Sequence, residues 1–359
     1  MAAVIRSNEI CVRGARPGEG RMIAGLWREL WDAHEGWGGY RASHDPRTYD
    51  ELAVRLDEDA RVRASHPVLG RHVHLVASSR GRIAGQVEGW FERHGVDPTT
   101  PFTCEVRSLI VTAFERRSGA GRALVDMLAA TARELAKGGQ VVLAAEVLEP
   151  NPAFAFYERA GFAPVSWSTR VNVNPPPLAS QRTPSPPRIS PPSHEGVSVR
   201  VAHPKDALAV GVLESFLAAR RRGLGDVRYD RPRAVDAKFV GAIAAHFGTA
   251  SRQDGPVELV ACDRHGNVTA SASFAVGMLE APFVPSRRAV MGRFAVDPSL
   301  DPTALIAAMV SFGKRLAAQR SVPYIELTDL TPPDTPVYQA TLAASAVPWS
   351  RIYCKVSSS

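Results

Sequence analysis

The stretch from Cys104 to Phe162 holds the residue types best suited to chemistry. An apolar run ending at Thr112 is followed by Arg116, Arg117, Ser118, Gly119, Ala120, Gly121 and Arg122, then by an apolar-periodic segment carrying Leu124, Leu128 and Leu135. That order predicts a strand, a short loop and a helix whose first residues are glycine-bearing and basic. The first turn of a helix carries unpaired N–H groups and the positive end of the aligned peptide dipoles. Gly119 and Gly121 let a backbone approach a ligand closely, and Arg116, Arg117 and Arg122 add charge. A pyrophosphate suits such a place. The same residues would equally make a glycine-containing turn before an ordinary core helix, because glycine clusters alone are a weak signal.

The residues around and beyond this turn add context. Arg116-x-x-Gly119-x-Gly121 resembles motif A of the GNAT acetyltransferase superfamily, (Gln/Arg)-x-x-Gly-x-(Gly/Ala) after the fourth strand. Val141–Val147 resembles that family's fifth strand, and Asn151–Phe162, with Tyr157, Glu158, Gly161 and Phe162, resembles its motif B. The resemblance implies an acyl-CoA, most simply acetyl-CoA, lying between the fourth and fifth strands. Its pantetheine arm would pair with the main chain of Leu109, Ile110 and Val111. Its pyrophosphate would sit on the N–H groups of residues 117 to 122, with Arg116 beside them. Asn151 and Phe154 would face the pantetheine arm, and Tyr157 would stand near the thioester sulfur. One departure is visible: Asn151 lies one residue closer to Tyr157 than in the usual motif B, and Pro150 occupies the expected place.

Amide formation from an acyl-CoA needs a neutral amine, and a lysine-like amine is mostly charged near neutral pH. A base, often through water, removes the proton. The tetrahedral oxyanion asks for N–H donors, and the leaving thiolate for a proton. The resemblance implies Glu105 as base, because some lysine-acetylating members carry a glutamate at this spacing before the motif, and Tyr157 as acid. Glu105 would otherwise pair with Arg107 or face solvent, and Tyr157 would otherwise be a core tyrosine beside Phe154 and Phe156. Glu88, His94 and Glu146 are rivals to Glu105.

These residues need a scaffold. The first half reads as a strand at 9–13, helices at 17–34 and 48–64, a hairpin at 72–78 and 82–93, and a strand at 104–112. It continues with a helix at 119–137, a strand at 140–147, a helix at 151–160 and a strand pair near 162–173. This is an α/β fold with a mixed sheet flanked by helices. Residues 174–195, rich in Pro and Ser, read as a polyproline-like linker. Val12–Glu19 parallels Val199–Asp206, and Val73–Ala84 parallels Val257–Val268, which reads as a duplication. The expectation is two tandem GNAT-like acyltransferase domains, 1–173 with the acyl-CoA site and 196–359 without it. In the second, Arg293–Pro298 resembles the fourth strand and 303–318 a retained core helix, but no RxxGxG comes after it, and Asp297 and Asp301 bring the wrong charge.

With 359 residues, 45% apolar and 22% charged, the chain is long enough for two globular domains. No apolar run reaches a membrane span, and a cytoplasmic protein is expected. Four dispersed cysteines make neither a disulfide framework nor a metal site, so no metal is expected. The +7 charge is spread out, so nucleic acid is not an expected partner. The expected acceptor is an amine-bearing small molecule or a peptide, with natural-product tailoring or self-resistance in a bacterium as one setting. A homodimer is compatible with this reading. The competing class is a non-catalytic acyl-CoA sensor or scaffold.

Overall fold

The computed structural model describes residues 5–7, 10–65, 72–93, 102–137, 139–173, 196–229, 235–249, 255–279, 283–284 and 287–357. The chain forms two compact units. One contains Met1–Pro164, Glu280–Pro285 and Ile352–Ser359, the other Val165–Leu279 and Ser286–Arg351. The division therefore differs from a cut at 173: residues 165–173 belong to the second unit, and the chain from Ile352 onward belongs to the first. The Pro/Ser-rich stretch 174–195 lies outside the described residues.

The first unit contains β1 (Ile5–Ser7), β2 (Ile10–Gly14), α1 (Gly20–Gly36), β3 (Arg41–Ala42), α2 (Pro46–Ser65), β4 (His72–Ser79), β5 (Arg82–Arg93), β6 (Phe102–Val111), α3 (Ala120–Leu135), β7 (Val141–Leu148) and α4 (Phe154–Arg159). Its sheet runs β1-β2-β4-β5-β6-β7. Pairing is antiparallel as far as β6 and parallel between β6 and β7, as hairpins followed by a strand–helix–strand crossover require. Alternation along β5 divides its two faces. Val87 and Phe91 pack with Leu124, Val125, Met127 and Leu128 of α3, together with Cys104 and Val106 of β6. Each such fully buried aliphatic side chain contributes roughly 1.5–3 kcal/mol. Gln86, Glu88 and Trp90 occupy the other face. Nearby on that side, Ile23, Trp31, Tyr49, Leu52 and Leu56 of α1 and α2 pack with Val76 of β4.

The second unit takes β8 (Ala163–Asn172) from Val165 onward, then β9 (Ser198–Val201), α5 (Ala207–Gly223), α6 (Ala237–Thr249), β10 (Val257–Cys262) and β11 (Val268–Met278). It continues with β13 (Arg287–Val296), α7 (Pro302–Gln319), β14 (Tyr324–Leu330), α8 (Pro336–Ala343) and the start of β15 (Val347–Ser357). The intervening β12 (Phe283–Val284) belongs to the first unit, where it pairs with β3. The strands of the second unit are ordered β8-β14-β13-β11-β10-β9, parallel only between β13 and β14.

Two details recur in both units. The Arg13 guanidinium grips Glu19, whose carboxylate also accepts the Arg16 amide at 2.8 Å; Arg200 grips Asp206, which accepts the His203 amide at 2.8 Å. Each pair fixes the entry to its first helix and explains the parallel between Val12–Glu19 and Val199–Asp206. The second detail is a bulge. The β5/β6 register slips between Gln86↔Ile110 and Glu88↔Arg107, with Ser108 at φ 52°. The β11/β13 register slips between Ser271↔Ala295 and Ser273↔Gly292, with Arg293 at φ 56°. A non-glycine residue at positive φ costs about 1–3 kcal/mol and persists where surrounding structure enforces it.

In the second unit Arg293 is ion-paired to Glu214 of α5, and Glu258 of β10 is buried beside them. Burial, then the nearby Glu214 charge, pushes the Glu258 carboxyl up to about 8, while Arg293 and Ser271 act the other way. Between its ordinary value and about 8 the native state therefore holds a proton that the unfolded chain has lost. Stability falls as pH rises through that window. Glu258→Gln is expected to flatten this decline, being more stable than the parent at about pH 8.5 by on the order of a few kcal/mol and so melting at a higher temperature. Melting curves of both proteins at about pH 6 and pH 8.5 check it; parallel pH dependence would contradict it.

Candidate active site

The β6/β7 ladder runs from Phe102↔Val141 to Val106↔Ala145 and stops there. The bulge at Ser108 turns β6 toward β5, where Ile110 and Val111 remain paired with Gln86 and Gly85. Between Arg107–Val111 and Glu146–Leu148 the two parallel strands have parted. Leu109, Ile110 and Val111 thus lie along the strand edge that β7 has left. Leu109 and Val111 are half-buried against the α3-side core, and Ile110 is buried.

The chain leaves β6 through a single turn centred on Ala113–Glu115 and enters α3. Ser118 Oγ and its amide both bond to the Glu115 carbonyl, which tightens the approach. Arg117 has φ 71° and Gly119 φ 93°; the N-cap Gly119 gives no side-chain cap, and Ser118 Oγ accepts only the Ala120 amide, at 3.4 Å. A Cβ on Gly119 would meet no protein atom within 4 Å, so the space over the helix N-terminus is open. Gly121 differs: a Cβ there would sit 3.2 Å from the Phe156 ring and 3.5 Å from Val111 Cγ2. Gly119 serves turn geometry and open approach, whereas Gly121 serves packing against α4. Arg116, Arg117, Ser118, Gly119 and Arg122 are exposed and Ala120 is buried. Arg116 bridges to Glu29 at 3.3 Å and Arg122 to Asp126 at 2.9 Å; Arg117 forms no ion pair among the described residues.

Beyond β7, Asn151 Oδ1 accepts the Ala153 amide at 2.9 Å. Asn151 and Pro152 therefore form the turn before α4, which begins at Phe154 and not at 151. Tyr157 is buried, edge-on to Phe156 and Phe162 and stacked on Tyr353 of β15, with ring centroids 6.2 Å apart. Phe154 also meets the Tyr353 ring, at 5.8 Å. Burial raises the Tyr157 pKa, so its hydroxyl stays protonated, a donor. Lys355 of β15 donates to the Ala160 carbonyl at the end of α4 at 2.9 Å.

Glu105 is ion-paired to Arg107, whose guanidinium also lies over the Trp90 ring at 5.4 Å. Glu146 is exposed on β7. His94 lies outside the described residues. Glu88 is buried on β5, with His72 Nε2 at 3.1 Å from its Oε1. Residue spacing gives no sign of Ser108, His72, Gln86, Tyr353 or Lys355 at this place, because each is brought here by register or by the far end of the chain.

The corresponding helix start in the second unit is closed. Asp301 caps α7 by accepting the Thr303 amide at 3.1 Å, Pro302 removes one donor outright, and Asp297 accepts the Ser299 amide at 2.9 Å. Strands β13 and β14 part after Gly292↔Thr328, but Arg293 stands at the bulge paired to Glu214, and Arg228 reaches Asp329 at 3.2 Å. Tyr338, which resembles Tyr157 in its place along the chain, is buried in the α7/α8 core.

Residues 25–162 match the model of the Acetyltransferase (GNAT) family, a span that contains the bulge, the parted strands and the glycine-led helix start. This is a GNAT domain. The whole chain is similar in fold to solved structures. A GCN5-related N-acetyltransferase from Sphaerobacter thermophilus superposes with a TM-score of 0.57 at 16% identity, covering 98% of this chain and 97% of that one. A GCN5-related glucosamine N-acetyltransferase region of a fungal multi-domain GH3 β-N-acetylglucosaminidase gives 0.53 at 12% identity, over 98% of this chain and 38% of that one. A tandem GNAT protein from the clavulanic acid biosynthesis pathway is also similar, at 17% identity and a TM-score of 0.44, over 97% and 98% of the two chains. No curated protein matches the sequence. No described helix is long and apolar enough to cross a membrane.

Proposed function

We propose that this protein is an acyl-CoA-dependent N-acyltransferase that moves an acetyl or related acyl group to a primary amine of a small molecule or peptide. One observation carries the reading: the opening between β6 and β7 leads directly to the glycine-led N-terminus of α3. An extended pantetheine arm would add to the free β6 edge at Leu109–Val111 as an extra strand does. The pyrophosphate would take the first-turn amides of α3, with Arg116, Arg117 and Arg122 around it. Asn151 is engaged in the turn before α4, so its contribution is to shape the wall facing the pantetheine arm, with Phe154 beside it. Tyr157 would give its proton to the departing thiolate. The second unit carries no acyl-CoA in this reading, and the enzyme works in the cytoplasm without a metal.

The decisive assay mixes the protein with acetyl-CoA and a panel of primary amines, and monitors thiol release and a product mass increase. Thiol release with no acylated amine would mean hydrolysis. CoA binding with neither would leave an acyl-CoA sensor and overturn the enzyme. Tyr157→Phe is expected to lower kcat by about tenfold or more, in the range of general acid catalysis, while acetyl-CoA affinity stays within about twofold. A variant rate close to the parent's would remove Tyr157 from proton transfer.

A further inference from the structure

The face of the first sheet opposite α3 carries polar groups with no part in cofactor binding. His72 and His74 on β4, Gln86 and Glu88 on β5, and Arg63 on α2 form two neighbouring hydrogen-bonded sets. His72 Nε2 lies 3.1 Å from Glu88 Oε1, and His74 Nε2 lies 3.0 Å from Gln86 Oε1. Arg63 Nη2 contacts His72 Nδ1. A guanidinium can only donate, so Nδ1 accepts; the ring proton is then on Nε2 and is donated to Glu88. His72 is further fixed by stacking on Trp90, with centroids 4.4 Å apart and planes at 26°.

Glu88 stands at the point where β6 leaves β7. Its backbone partner is Arg107, the last residue before the Ser108 bulge, and the Ser108 side chain bonds to its carboxylate. An acyl group held on the β6 edge has two faces of the sheet beside it. The α3 face is filled by Leu124, Met127 and Leu128, which excludes a polar amine. The nucleophile must therefore come from the face that carries Glu88.

We propose that Glu88, oriented by His72, is the group that takes the proton of the acceptor amine. The proposal rests on the N-acyltransferase reading. The amine nitrogen bonds to the thioester carbonyl carbon, which makes its N–H strongly acidic, and that proton passes to a Glu88 carboxylate oxygen. The oxyanion collapses, the C–S bond breaks, and the thiolate leaves with a proton from Tyr157 or water. Glu88 then returns its proton to solvent.

Three further observations agree. Hydrogen bonding from His72 and Ser108 and the nearby His74 hold the Glu88 carboxyl below its ordinary pKa despite burial, so it is ionised when the amine arrives. Gln86 is fully buried, and its Nε2 has no acceptor among the described residues. Such an orphan donor is costly unless a ligand oxygen satisfies it. Lastly, the register of the second unit places Ser273 where Glu88 stands, opposite Gly292 and beside the Arg293 bulge. That position in the second unit carries a serine, whose hydroxyl donates to the Gly292 carbonyl at 3.1 Å, while the neighbouring Glu258 carboxyl on β10 is pushed toward its protonated form by burial. Glu105 serves instead to hold Arg107 over Trp90.

The test is Glu88→Gln in the full chain, with acetyl-CoA and an amine that the parent acylates. The expected result is a fall in kcat/KM for the amine of about 10²–10⁴-fold, with calorimetric CoA affinity within about twofold of the parent. Because parent and variant alike need the amine already neutral before it attacks, the loss should persist as pH rises through the amine's own pKa. A rate within a few-fold of the parent, with CoA affinity intact, overturns the role of Glu88 and leaves the acyltransferase reading standing. A parent that acylates no amine overturns both. Should Glu88→Gln lose CoA affinity, Glu88→Ala with added formate decides: restored turnover supports the role and no restoration overturns it. His72→Asn is expected to lower kcat by a smaller factor with KM for acetyl-CoA unchanged, as befits a positioning residue.

Discussion

Gly119→Val is expected to weaken CoA binding by at least about tenfold while leaving the fold in place. At φ 93° the glycine occupies left-handed space, and a side chain there costs about 1–3 kcal/mol in strain. That strain falls on an exposed turn, and a Cβ at this position touches no protein atom within 4 Å. The added branch would instead project into the open space over the α3 N-terminus, where the phosphates must approach the amides. Gly121→Val makes a useful contrast. Its Cβ meets Phe156 and Val111 at 3.2–3.5 Å, so its damage should show mainly as a lowered melting temperature, as overpacked cores typically lose 1–3 kcal/mol. Calorimetry with CoA and a thermal melt on each variant separate the two. A folded Gly119→Val protein with parental CoA affinity would remove the phosphates from this helix start.

The contrast between the two glycines shows what the sequence could and could not reveal. Residue type and order located the turn, although glycine and arginine before an apolar-periodic helix would equally suit an ordinary core-helix start. They could not say that Gly121 is held by an aromatic ring from a helix more than thirty residues onward. The positions of the strands along the chain were legible from alternation, and α3 and α7 from their apolar spacing. The bulge was not, because nothing in a serine or an arginine announces positive φ; it is imposed by the slip between neighbouring strands. The His72–Glu88 contact depends on hairpin register, which a shift of one residue would reverse. Helix α4 begins later than the motif suggested because Asn151 commits its oxygen to a turn. Tyr353 and Lys355 reach α4 from the last strand, a contact with no local signature, and for the same reason the first unit includes the end of the chain.

The second unit should leave the protein with one acyl-CoA per chain. Both halves have a bulge, a pair of parted parallel strands and a helix directly after them, so the architecture alone would allow two. The difference lies in how the helix start is satisfied. At α3 the N-cap Gly119 has no side chain to offer, Ser118 Oγ accepts only the Ala120 amide at 3.4 Å, and three arginines stand nearby in the chain. At α7 Asp301 takes the Thr303 amide and Thr303 hydroxyl, Pro302 offers no N–H, and Asp297 takes the Ser299 amide and hydroxyl. Their hydrogen bonds hold both carboxyls below the ordinary range, so both stay ionised near neutral pH. A diphosphate arriving there would have to displace carboxylates from their amides and then lie against their charge, the reverse of what a helix N-terminus ordinarily offers an anion. Beside the parting, Asp329 of β14 is taken by Arg228 and Arg293 of β13 by Glu214 of α5. Titration of the full chain with CoA, by calorimetry or native mass spectrometry, is expected to saturate at one equivalent. Gly119→Val should then abolish or strongly weaken that single isotherm. Two equivalents, or one equivalent unaffected by Gly119→Val, would place a working site in the second unit.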